Sequence, residues 1–206
     1  MYPNFSEEKK LWKRGLKSVA GLDEVGRGPL AGPVVACAVI IDPNFKNKKF
    51  NVKDSKKLSA QQREKIFKIF SNHPQIKWGI GEVSEKIIDK INILEATKLA
   101  MQKALDDLEC PADYLILDGN FGIKAKVPQK SIVKGDVKVF SCALASILAK
   151  VWRDRLMQKY HKKYPEYGFK KNKGYGTEFH IRMLQKIGPC SIHRKSFLSN
   201  FHYATD

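Results

Sequence analysis

Residues 21–40 read GLDEVGRGPLAGPVVACAVI, and this stretch decides the predicted fold. Apolar, β-branched runs at residues 18–23 and 34–41 flank the segment GRGPLAGP, which predicts two buried strands joined by a tight loop and able to form a hairpin. Asp23 and Glu24 stand at the end of the first strand. Adjacent strand side chains point to opposite faces, so both carboxylates reach one site only if the backbone turns, which the following glycines permit. The alternative is that both acids are simply solvated.

The same loop also matches a phosphate-binding pattern. GRGPLA fits the Gly-x-Gly-x-x-Gly/Ala loop of dinucleotide-binding folds, but that loop must open a helix. Pro29 and Pro33 interrupt the segment here, and the strand-forming run VVACAVII follows it. We therefore expect no nicotinamide or flavin site.

Periodicity over the rest of the chain predicts further helices and strands. Ser59 begins a capping-box pattern that predicts a helix over Ala60–Phe70. A second helix is expected from Asn92, with Glu95 as its third residue, and it should end before Pro111. The other predicted elements are a strand at 76–83, a central strand at 114–117, a long helix at 137–162 and a last helix after Thr177. Together they predict an α/β fold, a mixed central sheet flanked by helices, with a helical C-terminal segment.

Composition limits the class of protein. The chain has 206 residues, 43% of them hydrophobic, and no long linker divides it, so we expect residues 1–206 to form one domain. Lys and Arg number 38 against 21 Asp and Glu, a net charge of +17 that predicts a polyanionic partner, nucleic acid or an anionic membrane. The longest uncharged stretch, residues 28–41, contains two prolines and is too short to span a bilayer.

The expected compartment is the cytoplasm. The N-terminus lacks the apolar segment of a secretory signal. The four cysteines are widely separated, with no C-x-x-C pair, which indicates reduced thiols rather than a disulfide framework. Cys190 and His193 form a single C-x-x-H, which is too little for a zinc site.

Two further acids follow predicted strands or precede a helix. Asp118 ends the run YLILD, where the Asp-Gly step could instead make a hairpin turn, and Asp136 precedes the long helix, where it could instead be an N-cap. Taken with Asp23 and Glu24, they suggest a carboxylate cluster. Acids so close together need divalent cations, and carboxylates and water select Mg²⁺ or Mn²⁺. Two such ions would suit phosphodiester hydrolysis, which indicates a nuclease.

Six motifs carry a family resemblance over nearly the whole chain. They are residues 21–40, DSKKLS at 54–59, LDGN at 117–120, KGD at 134–136, ASILAKVWRDR at 145–155 and GYGT at 174–177. In this order the set resembles the ribonuclease HII family, the type 2 ribonucleases H. The resemblance implies a ribonuclease H-like fold and hydrolysis of the RNA strand of RNA–DNA hybrids. It also implies cleavage on the 5′ side of single ribonucleotides in duplex DNA, leaving 3′-hydroxyl and 5′-phosphate ends.

The resemblance further implies which residues act. The expected catalytic and metal-binding acids, for two Mg²⁺ or Mn²⁺ ions, are Asp23, Glu24, Asp118 and Asp136. The substrate-binding residues expected from the motifs are Gly26, Arg27, Gly28 and Tyr175. The basic patches add Lys53, Ser55 and Lys56, expected near the phosphates at the cut, and Arg194, expected to hold the flanking duplex. Backbone without side chains at the glycines can approach a ribose and bond its 2′-hydroxyl, which distinguishes RNA from DNA. Tyr175 would pack against the neighbouring sugar, although a glycine-rich surface turn is the alternative for GYG.

Some features have structural explanations of equal standing. Asp154 belongs to a family motif, but an ion pair with Arg153 or Arg155 would also explain it. The aromatic series from Tyr160 to Phe169 is expected to pack in the core rather than stack on bases.

The expected partners are RNA–DNA hybrid and ribonucleotide-containing DNA duplex, with the basic segment of about residues 165–206 helping to bind them. We expect a monomer with no obligate protein partner and no membrane. Two alternatives stay open, a ribonuclease HIII-like nuclease and a non-catalytic nucleic-acid-binding protein. The intact GRG signature close to the N-terminus favours ribonuclease HII over ribonuclease HIII.

Overall fold

Five strands form a mixed sheet in the computed structural model, which describes residues 2–46 and 58–199 of the protein. The strands are β1 (Val19–Val25), β2 (Val34–Ile41), β3 (Ile76–Val83), β4 (Tyr114–Asp118) and β5 (Gln129–Ile132). The α-helices are α1 (Ser6–Trp12), α2 (Ala60–Phe70), α3 (Glu85–Asp106), α4 (Phe140–Lys163), α5 (Phe169–Asn172) and α6 (Glu178–Ile187). The mixed sheet flanked by helices is therefore confirmed.

β1 lies at the centre of the sheet, whose strand order is β3-β2-β1-β4-β5. It pairs antiparallel with β2, with Val25 opposite Val35, so the predicted pairing of these two strands is confirmed. On its other side β1 pairs parallel with β4, and β4 pairs parallel with β5. Parallel neighbours cannot be joined by a two-residue turn, so the Asp-Gly step after β4 is not a hairpin. β4, which was predicted to be a central strand, lies second from the edge of the sheet, between β1 and β5.

Helices cover both faces of the sheet. α4 and α2 pack against one face and α3 against the other. Two glycines in β3 allow α3 to lie unusually close to the sheet. A Cβ atom at Gly81 would overlap the carbonyl oxygen of Ala100, and one at Gly79 would overlap that of Ala104. Glycine is therefore required where this helix crosses β3.

α3 is broken at Asn92, which has a φ of 65°. The Asn92 side-chain oxygen accepts hydrogen bonds from the backbone N–H groups of Leu94 (2.9 Å) and Glu95 (3.1 Å). Asn92 thus caps the second part of the helix, as its sequence pattern predicts. The first part, which starts at Glu85, was missed because the capping signal at Asn92 indicates a beginning and gives no sign of a helix before it.

The long helix α4 is anchored by α1. It begins at Phe140, a few residues after the predicted start, because a 3₁₀ turn over Gly135–Val137 precedes it. Buried Glu8 of α1 accepts hydrogen bonds from the Ser141 N–H and hydroxyl, both at 2.9 Å. A carboxylate at a helix N-terminus binds the N–H groups that have no partner within the helix. Among the described residues, no helix is long and apolar enough to cross a membrane.

The C-terminal segment forms a small core of its own. Tyr167 and Phe169 are buried with Leu184 of α6 and Met157 of α4, and Tyr160 packs against this cluster. The prediction that the aromatic series is core is therefore confirmed. Thr177 caps α6, so the last helix begins where the sequence predicts.

Replacing Gly81 by Ala should destabilise the protein strongly, because the added methyl group would overlap the backbone of α3. Overpacking of this kind costs about 3 kcal/mol. In a chain of this size that lowers Tm by roughly 6–12 °C in a thermal unfolding experiment.

Gly15→Ala is the control for Gly81→Ala. Gly15 has a φ of +88°, but nothing lies within 4 Å of an added Cβ. This variant measures the cost of the left-handed backbone alone, about 1–2 kcal/mol. Equal losses of Tm in the two variants would contradict the close packing of α3 on β3.

Candidate active site

The parallel pairing of β1 with β4 brings two acids together. The last paired residues are Leu22 and Leu117, so Asp23 and Asp118 follow them at the same edge of the sheet. Glu24 comes next on β1, and the loop of residues 26–33 starts directly after the strand. Each of these two neighbouring strands therefore has a carboxylate near its C-terminal end, which is where ligands of open sheets commonly bind.

Asp136 reaches the same edge through the 3₁₀ turn. The Gly135 N–H donates a hydrogen bond of 2.7 Å to Oδ1 of Asp118. A Cβ at Gly135 would lie 3.3 Å from the Asp118 Cα, so glycine allows the two segments to touch. Asp136 is buried and is not the N-cap of α4, which is Val139.

All four predicted acids line one cavity of about 320 Å³. The residues that line it include Asp23, Glu24, Asp118, Asp136, Gly26, Arg27, Gly28, Tyr175, Arg63, Ser146 and Lys150. The cavity thus combines a carboxylate cluster with the GRG loop and the tyrosine of the GYGT motif. The structure brings these sequence-predicted residues together.

The buried carboxylates carry an electrostatic cost. Burial raises the pKa of Asp23 well above its usual value, and the nearby charges of Glu24 and Asp118 raise it further. A hydrogen bond from Ser146 and one of 2.7 Å from the Glu24 N–H act in the opposite direction. Burial also raises the pKa of Glu24, while the charge of Arg27, 3.3 Å from its Oε1, lowers it. Positive charge placed among these groups would stabilise their ionised forms.

The donor set fits a hard divalent cation. All four side chains offer carboxylate oxygens, and buried Oε2 of Glu24 has no hydrogen-bond partner in the part of the chain that the structure describes. Within residues 2–46 and 58–199, however, no three His, Cys, Asp or Glu side chains are already arranged to hold a metal ion. Oε1 of Glu24 points to Arg27 and Oδ1 of Asp118 binds the Gly135 amide. Side-chain rotation would therefore have to accompany metal binding.

Two buried arginines hold the loop that carries the GRG sequence. Arg153 of α4 donates hydrogen bonds to the carbonyl oxygens of Pro33 (2.9 Å) and Ala31 (3.1 Å). Arg194 donates to those of Gly26 (2.6 Å) and Gly32 (2.8 Å), and also to that of Arg27. The backbone of the loop is thereby fixed from behind, while Gly28 faces the ring of Tyr175.

The position of Arg194 corrects a prediction. We expected it to hold flanking duplex, but its side chain is 0% exposed and its guanidinium binds loop carbonyl oxygens. Arg194 therefore holds the loop of residues 26–33 in position and does not present its guanidinium to the surface. Lys53, Ser55 and Lys56 lie outside the described residues.

A family model described as Ribonuclease HII matches residues 20–205. The chain belongs to the ribonuclease HII family. The ribonuclease HII of Chlamydia caviae is 52% identical over 191 residues, covering 92% of this chain and 88% of that protein. That of Syntrophotalea carbinolica is 48% identical over 195 residues, covering 92% and 90%. As a member of the ribonuclease HII family, the chain is a metal-dependent endoribonuclease that acts on the RNA strand of RNA–DNA hybrids.

Solved structures share the fold. Ribonuclease H2 from Pyrococcus horikoshii OT3 has a TM-score of 0.72 and 30% identity, over 87% of this chain and 93% of that one. The ribonuclease HII in the PCNA complex from Archaeoglobus fulgidus has a TM-score of 0.73 and 25% identity, over 91% and 98%. Bst ribonuclease HIII in complex with Mn²⁺ has a TM-score of 0.61 and 19% identity, and this chain covers 63% of it, which shows the fold alone. Membership of the ribonuclease HII family excludes both alternatives, a ribonuclease HIII-like nuclease and a non-catalytic nucleic-acid-binding protein.

Within the described residues, three polar side chains that line the ribonuclease HII cavity were missed from the sequence. Arg63 comes from α2, and Ser146 and Lys150 come from α4. The last two are four residues apart in the ASILAK motif, so they share one helix face, which is the signal that could have identified them. Lys150 also binds Asp154 at 2.7 Å, so Asp154 forms an ion pair as expected, but its partner is Lys150 rather than Arg153 or Arg155.

Asp23→Asn should stabilise the metal-free protein at neutral pH. The folded-state pKa of Asp23 is raised, so the fold loses stability as the pH rises from the ordinary carboxyl pKa, and the loss is complete above the folded-state pKa. The amide removes this cost, and each kcal/mol gained raises Tm by about 2–4 °C. Thermal unfolding in EDTA should show the gain at about pH 7–8, and the gain should shrink as the pH falls and wild-type Asp23 takes up a proton.

The control for Asp23→Asn is Asp106→Asn, at an exposed aspartate of α3. We expect it to change Tm little at either pH, because surface substitutions fall within about 0.5 kcal/mol. A lower Tm for Asp23→Asn than for wild type at neutral pH would contradict the electrostatic cost assigned to Asp23.

Proposed function

We propose that this ribonuclease HII also cuts duplex DNA on the 5′ side of single embedded ribonucleotides, leaving 3′-hydroxyl and 5′-phosphate ends. One observation carries the proposal. Gly28 lies at the mouth of the carboxylate cavity, and a Cβ there would be 3.9 Å from Cε1 of Tyr175. Exposed loop backbone and a half-exposed aromatic ring thus lie side by side in the lining of the carboxylate cavity.

The proposed division of labour follows from side-chain chemistry. The backbone of Gly26, Arg27 and Gly28 would bond the 2′-hydroxyl, which only a ribonucleotide offers. The ring of Tyr175, 43% exposed, would pack on the neighbouring sugar. Lys170 and Lys171, exposed in the basic C-terminal segment, would contact flanking phosphates, which position the duplex without reading its sequence.

We propose Asp23, Glu24, Asp118 and Asp136 as the catalytic acids that hold two divalent ions, Mg²⁺ or Mn²⁺. The support is the all-oxygen donor set and the buried Oε2 atom of Glu24, which has no hydrogen-bond partner among the described residues. When bound, such ions activate water and stabilise the leaving oxygen in phosphodiester hydrolysis. The protein's own part is to keep the carboxylates in place: Ser146 holds Asp23, and the Gly135 amide holds Asp118.

Several expectations remain predictions. They are a single domain over residues 1–206, a monomer, a cytoplasmic location and the absence of an obligate protein partner. Because the Archaeoglobus fulgidus relative forms a complex with PCNA, a similar partner for this chain is open to a binding test.

The deciding experiment is incubation with a DNA duplex that contains one internal ribonucleotide. We expect one nick, 5′ of that ribonucleotide, when Mg²⁺ or Mn²⁺ is present and none in EDTA. An all-DNA duplex is the substrate control and should stay intact. If hybrids are cleaved while the single-ribonucleotide duplex is not, the proposed recognition by Gly28 and Tyr175 is wrong.

Asp118→Asn should abolish cleavage while leaving binding of hybrid nearly unchanged. The amide oxygen can still accept the hydrogen bond of the Gly135 N–H, so the shape is kept and only the charge is lost. We expect kcat to fall by at least about 100-fold, the scale of losing a key electrostatic group. Single-turnover cleavage and fluorescence anisotropy of labelled hybrid measure the two properties separately.

The matched control for Asp118→Asn is Asp42→Asn. Asp42 also follows a strand, but β2 runs antiparallel to β1, so Asp42 lies at the opposite edge of the sheet. The Asp42→Asn variant should cleave hybrid at the wild-type rate. Cleavage by Asp118→Asn at a rate close to that of Asp42→Asn would exclude the proposed role of Asp118.

A further inference from the structure

Two buried histidines lie behind the active site and belong to none of the functions described above. His180 of α6 is 0% exposed and His193 is 3% exposed. Their Nε2 atoms are 2.9 Å apart. Nδ1 of His180 lies 2.9 Å from the carbonyl oxygen of Tyr175, and Nδ1 of His193 lies 2.9 Å from the backbone N of Cys190. The two rings therefore link Cys190 to Tyr175 by a continuous row of hydrogen bonds.

The two ends of this row fix the positions of its protons. The Cys190 N–H can only donate, so Nδ1 of His193 accepts and the His193 proton is on Nε2. That proton is donated to Nε2 of His180, so the His180 proton is on Nδ1. Nδ1–H of His180 then donates to the Tyr175 carbonyl, which can only accept.

The opposite arrangement is unfavourable at both ends. A proton on Nδ1 of His193 would face the Cys190 N–H, although it could reach the Cys190 carbonyl at 3.2 Å. Nδ1 of His180 would then be unprotonated and would face the Tyr175 carbonyl, lone pair against lone pair. Buried polar groups left without a complementary partner cost about 1–3 kcal/mol each.

Both rings are held neutral by their surroundings. The rings of Tyr167 and Phe169 pack against them. The ring centroids of Tyr167 and His193 are 4.8 Å apart, and those of Phe169 and His180 are 5.3 Å apart. Burial, together with the neighbouring His180, lowers the pKa of His193 to about 4, and burial lowers that of His180 as well. At neutral pH each ring therefore carries one proton, as the row of hydrogen bonds requires.

The row ends at a residue of the active site. Tyr175 lines the carboxylate cavity and its ring faces Gly28. The same segment also binds the loop of residues 26–33, since His193 pairs with Ala31 and the Arg194 N–H donates to the Leu30 carbonyl. A shift of the two rings would thus move Tyr175 relative to the loop that it faces.

We propose that His180 and His193 are positioning residues, which set the distance between Tyr175 and the GRG loop and so the efficiency of cleavage at single ribonucleotides. This inference rests on the proposed function, because it acts through Tyr175. Neither histidine touches substrate.

The test exploits two amides that imitate different ring nitrogens. In His180→Asn the amide nitrogen replaces Nδ1 and can still donate to the Tyr175 carbonyl. In His180→Gln the amide replaces Nε2, so the contact with His193 is kept and the bond to Tyr175 is lost. We expect His180→Gln to lower kcat on the single-ribonucleotide duplex about tenfold, with KM changed less than about twofold, since misplacement affects the reacting geometry. His180→Asn should stay within about threefold of wild-type kcat.

Two further variants separate positioning from general loss of packing. Tyr167→Phe removes a buried hydrogen bond to the Gly188 carbonyl in the same cluster, at 2.7 Å, and leaves the groups that bond His180 to the Tyr175 carbonyl unchanged, so it should keep wild-type kcat. Adding His180→Gln to Tyr175→Ala should lower kcat no further than Tyr175→Ala does alone, because residues that act through one another are not additive. An additive loss, or equal losses in His180→Asn and His180→Gln, would overturn the proposal.

The proton positions provide a readout that does not need activity. ¹⁵N chemical shifts of the wild-type histidines should show His180 as the Nδ1–H tautomer and His193 as the Nε2–H tautomer, and the reverse assignment would overturn the proposal even if His180→Gln does not fold. The proposed function is tested separately by the wild-type enzyme. If wild type fails to nick the single-ribonucleotide duplex, that function is wrong whatever the spectra show. If wild type nicks it and His180→Gln does so equally fast, only the positioning role is wrong.

Discussion

The parallel pairing of β1 with β4 places Asp23 and Asp118 at one edge of the sheet, and the rest of the site depends on this constraint. Burial raises the pKa of Asp23 because it removes water from the charged form, and repulsion from Glu24 and Asp118 raises that pKa further. The fold opposes these effects with hydrogen bonds from Ser146 to Asp23 and from the Gly135 amide to Asp118. A site of this kind needs a rigid frame, because relaxation of the chain would separate the like charges. Close packing of α3 and α4 on the two faces of the sheet supplies that frame.

A second unit, the C-terminal segment, packs against the loop of residues 26–33, and the proposed recognition of substrate depends on this contact. Buried Arg153 and Arg194 bind the carbonyl oxygens of that loop, and the segment delivers Tyr175 to its open side. The loop glycines keep side chains out of the space in front. In the proposed function, cleavage and recognition thus use different parts of the chain, and Gly28, Tyr175 and the carboxylates all line one cavity.

The sequence predicted local structure better than long-range contacts. The bounds of β2 and α2 agree with their patterns because an apolar run and a capping box are complete within a few residues. Asn92 shows the limit, since a cap signal gave the start of one helical part and hid the part before it. The four acids were predicted because each stands near the end of a strand or just before the long helix, and the structure brings all four to one cavity. Arg194 was misplaced because its bonding partners are more than 160 residues away along the chain, and a charged residue in a basic segment gives no sign that it is buried.

Arg153 and Arg194 also have an electrostatic consequence. Burying a guanidinium costs several kcal/mol unless its N–H groups are bonded, and here they bind backbone carbonyl oxygens. Burial lowers their pKa values, to about 10 for Arg153 and to about 9 for Arg194, where the charge of Arg153 contributes as well. Both values lie above neutral pH, so both groups stay charged. Backbone carbonyl groups accept the hydrogen bonds of the two arginines but do not neutralise their positive charge. This charge therefore remains directly behind the loop, which must meet a phosphodiester backbone. Carboxylate partners for Arg153 and Arg194 would have neutralised this charge and cancelled its attraction for phosphates.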